Sequence, residues 1–191
     1  MGKATASDHP ATGKRPRGIF GRFTRNAKGS VAIEFAALAI PFSMLVFAVI
    51  ESSISFAAQQ VLTNIADDVA RKFRTGQERA ATLNADQLET DICRALEIVV
   101  TKDCPGLEID LRRHDTFAQA AATKIKYTAT GDLDTTDFKI ELGQSSSKNQ
   151  LRLFYRWPVM TDFLRKSMSN LPNGNTLHYA TVTWQNEPFE D

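Results

Sequence analysis

Few side chains in this 191-residue chain have the type and spacing that catalysis requires. The three histidines, His9, His114 and His178, lie far apart, so the sequence does not pair a base with a nucleophile. The chain also lacks a phosphate-binding glycine loop and the HExxH and GxSxG signatures. These observations predict a protein that is not an enzyme and that uses no cofactor.

Candidate metal ligands are equally sparse. Asp132, Asp134 and Asp137 cluster in one segment and could offer oxygen ligands to calcium, but the spacing and the later glutamate of an EF-hand are missing. Cys93 and Cys104 have no histidines close to them in sequence, which makes them poor zinc ligands. We therefore expect a solvated turn at the aspartates and no metal site.

The two cysteines can instead pair with each other. In an oxidising compartment a disulfide between Cys93 and Cys104 would close a short loop and stabilise the fold by about 3 kcal/mol. A pair of buried free thiols is the alternative.

Glu34 is the one charged residue in an otherwise apolar run from Val31 to Ile50. An ionised carboxylate in such surroundings costs several kcal/mol, so it indicates a function and a partner for the charge. Gly29 stands five positions before it.

The apolar run is long enough to span a membrane once, because twenty helical residues cover about 30 Å. Residues 1–29 carry seven basic side chains and one acidic side chain. By the positive-inside rule this leader places the N-terminus in the cytoplasm and the C-terminal residues outside. The leader has few aromatic residues among its charges, so we expect no nucleic-acid binding.

Two other interpretations of the run are considered. A core helix of a soluble protein rarely needs twenty apolar positions in succession. A secretory signal peptide could be cut after Ala57, since Ser55-Phe56-Ala57 has the small residues that signal peptidase prefers. However, the run exceeds the usual length of a signal-peptide core, about 7 to 15 residues, and contains Glu34.

The segment Lys28–Phe35 resembles the processing site of the type IV pilin superfamily. A glutamate followed by an aromatic residue, here Glu34-Phe35, is typical of the Flp/Tad branch. Together with Pro41, Glu51 and the closing Asn186-Glu187-Pro188-Phe189, it is similar to the TadE-like minor pseudopilins. The Flp pilin itself is much shorter than this chain.

This resemblance implies cleavage by a prepilin peptidase between Gly29 and Ser30, which makes Glu34 the fifth residue of the mature chain. The new amino group of Ser30 on one subunit could then neutralise Glu34 of a neighbour. The implied partners are the prepilin peptidase, other minor pseudopilins and the Flp pilin, the inner-membrane assembly platform and the lipid bilayer. The implied function is assembly of a Flp/Tad-type pilus or secretion apparatus; an unprocessed, single-pass periplasmic binding protein is the alternative.

Beyond the apolar run, the pattern predicts that the helix continues to Thr75 and stops at Gly76. Apolar residues recur there every three or four positions: Ile54, Ala58, Val61, Ile65, Val69 and Phe73. We therefore divide the chain into a basic cytoplasmic leader (1–29), a transmembrane helix (30–50), an amphipathic stalk helix (51–76) and a periplasmic head (77–191).

The head has the pattern of a mixed domain. A turn at 83–86 leads into a helix predicted over 86–100, and alternating polarity then predicts half-buried strands. We expect strands at 107–112, 124–130, 138–142, 151–157 and 178–184. The predicted fold class is α+β, with a long N-terminal transmembrane and stalk helix packed on a small antiparallel sheet in a pilin-like arrangement.

Overall fold

The computed structural model describes the backbone of residues 27–190 and the side chains of residues 31–190. Residues 1–26, which form most of the predicted basic leader, lie outside the described part of the chain. The described part of the chain divides into two units between Val46 and Phe47.

The dominant element is helix α1, Ala27–Arg74, which is continuous through Pro41. It ends near the predicted position because Gly76 takes a left-handed conformation with φ of 71°. The N–H of Gly76 donates to the carbonyl of Phe73 at 3.2 Å, and that of Gln77 donates to Lys72 at 3.0 Å. This is a Schellman termination, in which glycine avoids the cost of a side chain at positive φ.

The head contains one three-stranded antiparallel sheet in the order β1-β2-β3. Its strands are β1 (Leu107–His114), β2 (Lys148–Pro158) and β3 (Asn175–Gln185). Leu111 faces Leu151, and Leu151 faces Val182, across the central strand. The long apolar helix and this small sheet confirm the predicted α+β fold class.

Short helices complete the head. Helix α2 (Ala85–Leu96) begins at Asn84, whose side chain accepts the N–H groups of Asp86 and Gln87. It ends four residues before the predicted end. Helices α3 (Phe117–Ala122) and α4 (Asp162–Met168) follow β1 and β2, and a 3-10 turn at Pro172–Gly174 precedes β3.

The main core of the head lies between α1, α2 and one face of the sheet. The second half of α1 contributes Leu62, Ala66 and Phe73, all essentially inaccessible. The facing apolar residues include Leu88, Ile92 and Leu96 of α2 and Leu111, Leu151, Leu153 and Tyr155 of the sheet. Most of the predicted apolar stripe of α1 beyond residue 50 packs on the head, from Ala58 to Phe73, whereas Ile54 at its start is exposed.

Two predicted strands are wrong. Residues 124–130 turn back at Gly131 and form only an isolated bridge between Tyr127 and Leu133. Residues 138–142 meet β1 only through a parallel bridge between Leu111 and Ile140. The Lys139 N–H donates to the side chain of Asp110 at 3.0 Å. This N–H group is therefore not available for a backbone hydrogen bond that would extend the pairing with β1.

The central strand also differs from the expected half-buried pattern. Nearly every residue of β2 is buried, because the segment between α3 and β2 covers its outer face. There Phe154 packs with Leu133, Leu171 and Leu177 in a second small core. The alternating residues of β2 therefore belong to two faces that are both buried, one in the main core and one against the second small core.

Candidate functional site

The predicted processing segment lies at the start of α1. Gly29 and Ser30 are within its first turn, where backbone N–H groups have no intrahelical acceptor. Ser30 and Glu34 are four residues apart and so share one face of the helix. The Glu34 and Phe35 side chains are exposed. The structure therefore places Glu34 and Phe35 on an accessible helical surface.

The apolar run that follows is also exposed along its length. No side chain from Val31 to Ile50 is buried, although the segment includes Leu38, Phe42, Leu45 and Phe47. The helix is long and apolar enough to cross a membrane. Exposed apolar residues in such number require lipid or another apolar surface around them.

Glu51 ends the apolar run and is fixed to the head. Its buried carboxylate accepts the Met160 N–H at 2.5 Å and the Thr161 N–H at 3.2 Å, and it also accepts the Thr161 hydroxyl. Helix α4 starts immediately afterwards and has no cap from the Thr161 side chain. Glu51 therefore joins α1 to the start of α4, and its charge is compensated by three donors.

Ser55 and His178 make a second buried polar contact one turn later. The Ser55 Oγ and His178 Nε2 lie 3.0 Å apart, and the imidazole stacks on Trp157 with 5.3 Å between ring centroids. Burial lowers the pKa of His178 to about 4, so the ring is neutral at pH 7. The contact holds β3 against α1. His114 lies at the opposite end of the sheet, and His9 lies outside the described residues.

The C-terminal tetrapeptide closes the far end of α1. The buried Asn186 side chain accepts from Trp184 Nε1 at 2.8 Å and donates to the carbonyls of Gly143 and Gln144 at 2.9 Å each. The Glu187 N–H donates to the Arg74 carbonyl at 2.9 Å, which satisfies one of the last carbonyls of the helix.

Phe189 then covers the glycine that terminates α1. A Cβ atom added at Gly76 would lie 2.8 Å from the Phe189 ring, so glycine is needed for close approach as well as for its φ angle. In the sequence analysis, Asn186-Glu187-Pro188-Phe189 has only a family resemblance and no structural role. The structure shows that Asn186, Glu187 and Phe189 together fix the end of the helix.

Cys93 of α2 and Cys104 are joined by a disulfide, with 5.7 Å between their Cα atoms. Cys104 is buried, and its carbonyl accepts the Leu107 N–H at the start of β1 at 3.0 Å. The bond therefore ties α2 to the first strand, as predicted for an oxidising compartment.

The aspartate cluster is a set of structural hydrogen bonds. Asp132 pairs with Arg156 at 3.1 Å, Asp134 accepts the Thr136 N–H and hydroxyl, and Asp137 pairs with Lys126. The Lys126 hydrogen bond lowers the pKa of Asp137, and the two Thr136 donors lower that of Asp134. Within the described residues, no group of three or more His, Cys, Asp or Glu side chains could hold a metal ion.

The sheet contains a buried ion pair that the sequence analysis does not predict. Asp110 and Arg152 face each other across β1 and β2, with Arg152 Nη2 2.5 Å from Asp110 Oδ2. Arg112 also contacts Asp110 at 2.7 Å, and the Arg152 guanidinium lies beside the stacked rings of Phe138 and Phe154, 5.7 and 5.6 Å from their centroids. Alternating polarity in the predicted strand at 151–157 would place Arg152 on a solvent-facing side. Its partner, Asp110, depends on the strand register, which the sequence pattern does not reveal.

Residues 29–71 match the family model described as TadE-like protein. The match begins at Gly29 and ends within α1, so the head lies beyond it. No curated protein and no solved structure matches the chain. The match confirms the TadE-like resemblance and implies involvement in Flp/Tad pilus assembly. Proteins of this family are structural or accessory components and are not known as enzymes.

Proposed function

We propose that this chain is a minor pseudopilin that a prepilin peptidase cleaves after Gly29 and that then acts in assembly of a Flp/Tad-type pilus or secretion apparatus. The observation that carries the proposal is the family match, which starts at Gly29 and follows α1 through Glu34, Pro41 and Glu51. The division into leader, transmembrane helix, stalk and head belongs to the same proposal.

The position of the Gly29-Ser30 bond supports cleavage. A peptidase needs an extended backbone in its active site, and a bond in the first helical turn can unwind at the loss of few hydrogen bonds. Gly29 has no side chain to obstruct the enzyme and favours non-helical conformations.

After cleavage, Glu34 would be the fifth residue of a chain that starts with a charged amino group at Ser30. The helix N-terminus and a neighbouring subunit's amine both favour a carboxylate at this position. Pairing across subunits would fix the longitudinal register of one helix against the next. A mismatched register would leave charges in an apolar environment, so Glu34 would select the assembled arrangement.

The proposed orientation has the leader in the cytoplasm and the head in the periplasm of a single-pass inner-membrane protein. The charge of the leader supports the first part, and the Cys93–Cys104 disulfide supports an oxidising environment for the head. Other pseudopilins, the Flp pilin and the assembly platform are the proposed partners of this form.

Release of the head by cleavage after Ala57 is disfavoured by the contacts of α1. Such a cut would remove Glu51, which accepts three hydrogen bonds from Met160 and Thr161, and Ser55, the partner of His178. It would also divide the helix next to the buried Ala58. The residues that a signal peptidase would discard are part of the packed head.

Substitution at the proposed cleavage site tests this function. We predict that Gly29→Leu yields a full-length precursor that does not support piliation in the native host, because the side chain blocks the peptidase. Gly21→Leu in the same leader is the matched control and should be processed normally. Immunoblots and intact masses of the two variants provide the readout. Normal mature protein from the Gly29 variant would contradict cleavage after Gly29. A full-length chain from the unsubstituted protein and from both variants would instead favour the unprocessed, membrane-anchored binding protein.

A further inference from the structure

An open apolar groove of about 390 Å³ lies in the head beside the first residues of its segment of α1. Helix α1 forms one wall, and the chain after α2 and the end of β2 form the other. Its apolar lining includes Phe47, Ile50, Ile54, Val100, Trp157 and Met160. Phe47 and Ile50 belong both to this groove and to the apolar run that can span a membrane.

The contacts of Glu51 locate the groove relative to the end of that run. Glu51 is the first charged residue after Glu34, at the point where twenty helical residues have covered about 30 Å. Its carboxylate holds the backbone N–H groups of Met160 and Thr161. Met160 is therefore fixed within hydrogen-bonding distance of the residue at which the chain leaves the hydrocarbon layer.

Two large apolar side chains project from this place without cover from the head. Met160 is 78% exposed, and Phe163 in the first turn of α4 is 64% exposed. Lys166, on the next turn of α4, is also exposed. Asp162, which lies between the two apolar residues, is paired with Arg165 at 2.8 Å. Two apolar side chains beside an ion pair and the cation Lys166 suit the boundary between acyl chains and anionic headgroups.

We infer that the connection from β2 into α4 is a second membrane contact, in which Met160 and Phe163 enter the leaflet adjoining the head and lipid acyl chains occupy the groove. Lipid is the occupant because the groove continues the apolar surface of the span through Phe47 and Ile50. The carboxylate of Glu51 is tolerated at this depth because its three hydrogen bonds replace those from water.

This contact restricts rotation of the head about the axis of α1. A span alone would hold the head at one point, whereas Met160 and Phe163 add a second attachment beside it. The inference depends on the membrane span and is independent of cleavage or pilus assembly.

Spin labels on the full chain test the inference. Single additional cysteines replace Met160 or Phe163, while Cys93 and Cys104 remain in their disulfide. The protein is reconstituted in nanodiscs of phosphatidylcholine and phosphatidylglycerol, and accessibility to oxygen and to a water-soluble nickel complex is measured. Leu45→Cys reports insertion of the span. Asp68→Cys is the water-exposed control, since it lies 17 residues beyond Glu51, about 25 Å farther along the helix.

We expect labels at 160 and 163 to be at least threefold more accessible to oxygen, relative to nickel, than the label at 68. Equal values at the three positions, with label 45 in lipid, would overturn the inference and leave the span intact. Labels at 160 and 163 shielded from both reagents would indicate a protein partner and also overturn it. Exposure of label 45 to nickel would refute the span on which the inference rests.

Discussion

The two halves of helix α1 have different environments within one continuous element. From Val31 to Ile50 no side chain is buried, whereas from Glu51 to Arg74 one side is packed under the sheet and α2. Both halves are rich in apolar residues, but only the second has a partner surface within the described chain. The first half therefore requires lipid or another apolar surface around it, whereas the second half is stabilised by the folded head.

Each half contains a carboxylate with a different task. Glu51 is buried and accepts hydrogen bonds from Met160 and Thr161, so it contributes to the stability of the head. Glu34 lies on an accessible surface in the apolar run, next to the proposed cleavage site. We therefore expect loss of the Glu34 charge to impair assembly and loss of the Glu51 charge to weaken the head.

The largest effect is expected for Glu34→Gln. Glutamine keeps the shape but removes the charge, so the variant should be cleaved normally and yet lose piliation almost completely. Electron microscopy of cells and immunoblots of the mature chain measure the two outcomes.

The matched control for this variant is Glu89→Gln, an exposed glutamate of α2. It should leave both cleavage and piliation unchanged. Normal piliation with Glu34→Gln would remove the role of charge pairing in assembly.

The reciprocal variant, Glu51→Gln, should destabilise the head by about 2 kcal/mol, because a charged acceptor is replaced by a neutral amide beside three donors. Denaturant unfolding followed by fluorescence suits this test, since Trp157 and Trp184 both lie in the head core. With Glu89→Gln again as control, the expected change is below 0.5 kcal/mol. Equal stability of the two variants would show that Glu51 does not secure the head.

A smaller, pH-dependent effect is expected from His178. Its pKa is lowered to about 4 by burial, so an unfolded chain binds a proton between pH 6.5 and 4 that the folded chain does not. The free energy of unfolding should be highest above pH 6.5 and should fall by about 3 kcal/mol as the pH approaches 4. The carboxylates with lowered pKa, such as Asp137, lose their contribution only below that window.

His178→Gln should abolish this slope in pH titrations of unfolding. Ser55→Ala is the matched control: it removes the hydroxyl partner but leaves the imidazole buried, so the slope should persist at a lower overall stability. A slope that survives His178→Gln would assign the acid sensitivity to other groups.

Periodicity and turn chemistry predicted much of this fold. The helix from the apolar run to Gly76, the turn at 83–86 that leads into α2, and the three strands that form the sheet all follow from local sequence patterns. The proposed processing segment was predicted from its resemblance to the type IV pilin superfamily, and it stays a prediction.

Long-range pairing could not be predicted in the same way. Alternation predicts a strand at 138–142 but does not reveal that the Asp110 side chain would take the Lys139 N–H. Likewise, Glu51 and Ser55 have hydrogen-bond partners that lie 109 and 123 residues away, at Met160 and His178. Such contacts depend on strand register and packing, which single-residue patterns do not encode.

The most direct test of the central claim is the intact mass of the protein purified from its native membrane, with and without the prepilin peptidase. We predict a mature chain that begins at Ser30 when the peptidase is present and a precursor that retains residues 1–29 when it is absent. A mass that includes residues 1–29 in both strains would contradict the claim that the protein is a processed pseudopilin.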